Sequence, residues 1–156
     1  MIKTLDIELA VFSHFNSSGR VIVPNVSWGM FRYECDVVVM TNSGYLWEIE
    51  IKVNRADLIK DKDKRHNHDD PQFSRLYFAI PERLRMDIEH IPERAGIIIV
   101  DERINDPRYF ECCVREIRKA RDDKTHKCSD CDRYKLARLG AIRLWTLKRQ
   151  IKRIKK

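Results

Sequence analysis

Trp47-Glu48-Ile49-Glu50-Ile51-Lys52 alternates apolar and charged residues without a break, which is the period of a β-strand with two chemically different faces. Trp47, Ile49, Ile51 and Val53 point one way, and Glu48, Glu50 and Lys52 the other, expected as an outward polar face. Upstream, Phe31 to Met40 is rich in β-branched residues and reads as a second strand. Between them lies Thr41-Asn42-Ser43-Gly44-Tyr45. A three-residue hairpin loop takes a type I turn followed by a left-handed residue, and Gly44 stands where that residue falls. Thr41 then pairs with Tyr45, Val38 faces Glu48, Asp36 faces Glu50, and Glu34 faces Lys52.

Cross-strand partners share a face about 5 Å apart, so this register gathers Asp36, Glu48, Glu50 and Lys52, with Glu34 at the margin. A loop one residue shorter or longer would scatter them. Like charges facing each other destabilise a sheet unless a cation sits among them, and Mg²⁺ takes one or two carboxylates plus waters and phosphate oxygens. The alternative for each charge alone is a solvated face with cross-strand ion pairs.

Asp36, a hairpin, then Glu50-Ile51-Lys52 resembles the signature of the PD-(D/E)XK nucleases. The block Asn54 to Lys62 and the strand Arg75 to Pro81 resemble the small stand-alone bacterial and phage members. The likeness runs from about Glu34 to Pro81, with Cys35 where the signature has proline. It implies an α/β, restriction-endonuclease-like core: a helix, a three-stranded meander, a helix and a further strand, with a mixed sheet and a C-terminal basic helix. It further implies a nuclease using Mg²⁺ or Mn²⁺, with Asp36, Glu50 and Lys52 catalytic. Asp36 and Glu50 would hold the metal, and Glu8 or Glu48 would assist. The competing expectation is a nucleic-acid-binding accessory protein that keeps the fold without cutting.

At 156 residues the chain is expected to form one domain. A net charge of +7 and a pI near 9.3 favour a polyanionic partner, DNA first. No stretch approaches the roughly 18 apolar residues of a membrane span, and Asp6 and Glu8 interrupt the N-terminal apolar run. Five cysteines without disulfide-framework spacing suggest a reduced, cytoplasmic protein. A homodimer stays open as a partner.

Ile2 to Phe15 carries Leu5, Leu9, Phe12 and Phe15 at helical spacing, which predicts an inward stripe holding Glu8 as well; the alternative puts Glu8 at the stripe's solvent edge. Arg20 to Val23 reads as a short strand, and Trp28 as a loop aromatic that stacks on a base or packs on the core. Asn54 caps a helix expected to reach about His66. That helix offers Lys64 to nucleic acid, while His66 and His68 are either phosphate contacts at the site's rim or members of a polar loop. Further strands are expected at Phe73 to Ile80, Gly96 to Asp101 and Arg108 to Val114, with a helix from Pro81 towards His90. Cys128 and Cys131 are half of a four-ligand zinc site, with Cys112 and Cys113, or His126, as candidates for the rest, or else two reduced surface thiols. The final segment, Tyr134 to Lys156, spaces Leu144, Leu147, Ile151 and Ile154 helically amid lysines and arginines. It puts Arg149 and Lys152 forward as phosphate-backbone contacts.

Overall fold

The computed structural model describes residues 2–16, 19–26, 29–61, 68–101, 114–123 and 126–154. Helix α1 (Thr4–Phe15) leads into a meander of β1 (Val21–Val26), β2 (Cys35–Met40) and β3 (Leu46–Ile51). Helix α2 (Arg55–Lys60), capped by Asn54 accepting from the Asp57 amide, crosses to β4 (Phe73–Pro81). A 3₁₀ helix (Glu82–His90) leads to β5 (Gly96–Val100), followed by β6 (Val114–Arg118) and the long α3 (Asp130–Ile154). The six strands lie side by side in chain order. Parallel pairing at β3–β4 and β4–β5 and antiparallel pairing elsewhere make the sheet mixed. Both parallel links use a helical crossover, as parallel strands require.

The β2–β3 turn sets everything that follows. Gly44 has φ +87°, the left-handed value a residue with a Cβ resists, and its amide donates to Thr41 O. The Thr41 amide donates to Tyr45 O, and Val38 pairs with Glu48. This is the register expected from the loop length. The segment opening α3 clasps the turn: the Cys128 amide donates to Gly44 O, and the Arg133 guanidinium lies over Gly44.

Two apolar layers sandwich the sheet. On one face Val37, Val39, Trp47, Ile49 and Ile51 pack with Ile7, Ala10, Val11 and Phe15 of α1. On the other, Val38, Met40 and Leu46 pack with Leu136 of α3, and Leu76, Phe78 and Ile80 pack with Leu58 of α2 and Leu84. The second layer overturns the expected outward polar face of β3. Every β3 residue is buried, and Glu48 has no exposed surface. A strand paired on both sides and covered on both faces is what parallel sheets produce.

The helical stripe of α1 is also corrected. Its buried side is Ile7, Ala10, Val11 and Phe15, while Leu5, Leu9 and Phe12 are exposed. Only Phe15 of the four expected positions faces the core; the competing apolar set, offset by two residues, wins because it meets the sheet. The strand beyond β5 is described from Val114, so Arg108 to Cys113 lie outside the described residues, and Val114–Arg118 itself is the edge strand. Cys128 is not a surface thiol: it is buried in the layer with Leu136, whereas Cys131 is exposed.

Candidate functional site

The carboxylates of β3 are joined in a buried chain of polar contacts. Tyr33 Oη donates to Glu48 Oε2 at 2.8 Å, and Glu48 Oε1 is 2.7 Å from His68 Nδ1. The other ring nitrogen of His68, Nε2, is 2.7 Å from Asp61 Oδ2. Asp61 Oδ1 stands 2.7 Å from Lys52 Nζ, which also contacts Glu50 Oε1. Thus β3 supplies Glu48 and Glu50, the residue just after it supplies Lys52, and Asp61 follows α2. Buried charges demand partners of this kind, since each unpaired one would cost several kcal/mol.

His68 occupies a special backbone position. Its φ of +52° is left-handed, uncommon for a side-chain-bearing residue. Arg94 Nη2 donates to its carbonyl at 2.6 Å, and its ring sits edge-on to Tyr33 and Phe78. Burial opposes charge on the imidazole, but hydrogen bonds to Asp61 and Glu48 outweigh it and push its pKa up to about 9. With a carboxylate on each nitrogen, the ring is an imidazolium that donates twice. Burial raises the Glu48 carboxyl, opposed by the hydrogen bonds from His68 and Tyr33. Burial, then the Glu48 charge, pushes the Tyr33 hydroxyl far above its ordinary range, so it remains a donor. The same two influences keep Cys35 a thiol.

Asp36 enters from β2. Its Oδ2 accepts from the Ile51 amide at 2.8 Å, so its carboxylate sits at the backbone between Glu50 and Lys52. It is half-buried where Glu48, Glu50 and Lys52 are buried, which marks the open side of the cluster. Three carboxylates (Glu48, Glu50 and Asp61) against Lys52 and His68 leave one negative charge in excess, with Asp36 beside them at the Ile51 amide, the condition that favours a divalent cation. Glu48, Glu50 and His68 offer donor atoms within 4.8 Å of one another. Because the imidazolium spends both nitrogens on carboxylates, the oxygen donors are the ones that fit a hard cation.

Other expected site residues fall elsewhere. Glu8 points towards β1, where Asn25 Nδ2 approaches it at 3.5 Å. Its helix packs on the Ile49–Ile51 face, across the sheet from the side carrying Glu48 and Glu50. Glu8 therefore does not join the cluster. Glu34 is exposed, while Lys52 is buried against Glu50 and Asp61. Lys64, His66 and Trp28 lie outside the described residues. Arg149 and Lys152 are exposed on α3. Asp61 and His68 are the members that sequence reasoning missed: Asp61 reads as one charge in an alternating run, and His68 as a loop residue. The only local hint was a histidine amid acids seven residues after an aspartate, which is too common to single out.

A six-stranded mixed sheet with a helix at each end of the chain, and a buried acidic cluster beside a lysine, defines an α/β protein compatible with a restriction-endonuclease-like fold. The family described as DNA repair protein MmcB-like matches residues 3–150, and the chain belongs to that family. Among solved structures, a protein of unknown function from Silicibacter pomeroyi is similar over 97% of this chain and 92% of its own, at a TM-score of 0.65 and 19% identity. At that identity the likeness is one of fold alone. A second protein of unknown function, AF1548, reaches a TM-score of 0.38 at 15% identity over 64% of this chain and 58% of its own, too low to argue from. No curated protein matches the chain. No helix among the described residues is long and apolar enough to cross a membrane.

Proposed function

We propose that the chain is a metal-dependent nuclease of the PD-(D/E)XK type that hydrolyses phosphodiester bonds of DNA in repair. The observation that carries this reading is the convergence of Asp36, Glu50 and Lys52: Asp36 bonds the Ile51 amide, and Lys52 bonds Glu50. Membership of a DNA repair family supports DNA as the substrate.

Asp36 and Glu50 are the residues that would hold Mg²⁺ or Mn²⁺, with Glu48 next to them. When bound, the ion supplies a water of lowered pKa and neutralises charge on the phosphate. Lys52, fixed between Glu50 and Asp61, holds a positive charge where negative charge grows on the phosphorus oxygens, and such preorganised charge needs no rearrangement during reaction. His68 contacts no substrate in this scheme. It positions Glu48 and Asp61, and through Asp61 it positions Lys52. The half-buried Asp36 side is where a backbone phosphate would approach. Exposed cations of α3, Arg149 and Lys152 among them, add sequence-independent attraction to the duplex.

A second reading, a non-catalytic DNA-binding accessory protein, is favoured by one feature: Glu48, Glu50, Asp61, His68 and Lys52 pair with one another in a continuous chain. Cleavage assays separate the two. Linear, nicked, single-stranded and branched DNA are incubated with Mg²⁺, Mn²⁺ or EDTA, beside a Lys52→Ala protein. Metal-dependent cutting that disappears in the variant supports the nuclease. Salt-sensitive DNA binding without cutting supports the accessory role.

A further inference from the structure

The exposed stripe of α1 faces a second exposed stripe. Helix α3 leaves the Glu48 side of the sheet at Leu136 and passes the edge strand β1, where Gly140 abuts Val23 and Arg143 Nη2 donates to Asn25 O. It then borders α1. Leu5, Leu9 and Phe12 form one wall of the groove between them, and Leu144 and Leu147 form the other, enclosing about 460 Å³. Leu5, Leu144 and Leu147 are each more than half exposed, and Ile151 and Ile154 continue the stripe beyond the groove. Apolar surface this continuous marks an interaction site.

Shape and charge say what fits. A groove between two helices takes a third helix laid along it, whereas a bilayer is met by a convex face. At 100° per residue, Arg143 and Lys148 flank the apolar stripe of α3, one on each side. Between Arg133 and Lys156 there is no aspartate or glutamate, so a second copy laying α3 in the groove would set like charges together. Glu8, the carboxylate among the described lining residues, lies on the β1 side of the groove beside Asn25. Arg138, Arg149 and Lys152 lie on the opposite face of the helix and stay free for nucleic acid.

We propose that the α1–α3 groove docks an amphipathic helix of a partner protein whose apolar stripe is flanked by aspartate and glutamate. Two ligand classes then use opposite faces of α3: an acidic protein helix in the groove, and nucleic acid on the back.

The test selects a displayed library of helical peptides, apolar at i, i+3 and i+7 and randomised between, on the whole chain. Recovered peptides are then titrated by fluorescence anisotropy. The expected peptides carry acidic flanks and bind more weakly as salt rises. Leu147→Glu and Leu9→Glu should each weaken them by about ten-fold or more, and Arg149→Ala should leave them unchanged. Both leucines are exposed, so the variants keep the wild-type melting curve, checked by circular dichroism. Recovery of no peptide, of neutral or basic flanks, or of peptides indifferent to both variants would overturn the proposal. So would a wild-type dimer in sedimentation that Leu147→Glu dissolves, which makes the occupant a second copy. Leu147-dependent binding to anionic vesicles without peptide binding would overturn it too, in favour of a membrane.

Discussion

The ammonium of Lys52 stands 2.7 Å from the Asp61 carboxylate, which ties the residue after β3 to the residue after α2. Through its other oxygen, Asp61 also holds His68. One carboxylate therefore fixes two cations that the proposed chemistry needs in place.

Removing that carboxylate should be costly. Asp61→Ala leaves Lys52 with Glu50 and His68 with Glu48 as their remaining charged partners in a buried setting, and is expected to lower stability by about 3 kcal/mol. Asp61→Asn, which keeps the shape and one acceptor, should lose less. Urea unfolding of the two variants measures the difference, and equal, small losses would mean that the network is not closed as described.

Stability should fall in alkali in a defined window. The folded-state pKa of His68, about 9, lies above the ordinary 6.5. The stabilisation from its charge is therefore complete below about pH 6.5 and is lost as pH rises through about 9. Melting curves from pH 6 to 10 in EDTA should show this decline in the wild type and a flatter profile in His68→Gln. A parallel decline in both proteins would assign the effect to other groups.

Metal binding should be visible without DNA. Adding Mn²⁺ to EDTA-treated protein is expected to raise Tm, because a ligand of the folded state alone stabilises it. Glu50→Gln and Asp36→Asn should remove the increment. A wild-type Tm that does not respond to either Mn²⁺ or Mg²⁺ would favour the accessory reading.

Gly44→Ala should destabilise through its backbone. The left-handed φ costs a residue with a Cβ about 1–2 kcal/mol. The new methyl also meets the movable end of Arg133, a contact that the side chain relieves by swinging aside. Adding Arg133→Ala should therefore recover little of the loss. Substantial recovery in the double variant would locate the strain in the contact instead.

The back of α3 should govern salt dependence. Arg149→Ala with Lys152→Ala is expected to weaken binding to DNA of any sequence and to reduce the slope of log K against log salt by about 2 if each contacts one phosphate. An unchanged slope would place the DNA elsewhere.

The fold was legible wherever one local rule sufficed. Gly44 marked the loop length, the loop length set the register, and the register put Val38 opposite Glu48. The continuous apolar run Gly96 to Val100 announced a strand covered on both faces. What was not legible depended on distant packing. Leu5, Leu9 and Phe12 make as good a helical stripe as Ile7, Ala10, Val11 and Phe15, and only the sheet decides between them. The depth of Glu48 and Glu50 was hidden because alternation reports that a strand has two faces, not that both are covered. Asp61 and His68 reach the cluster through a crossover, so no spacing in the sequence marks them.

The same alternation makes the hairpin a frame in which chemistry and core are written one residue out of phase. Trp47, Ile49 and Ile51 build the layer under α1, and Glu48 and Glu50 build the acidic cluster, on a single strand. A single residue inserted between Asn42 and Gly44 would exchange the two sets, sending carboxylates into the α1 layer and indole into the cluster. A change in loop length here would erase stability and site together.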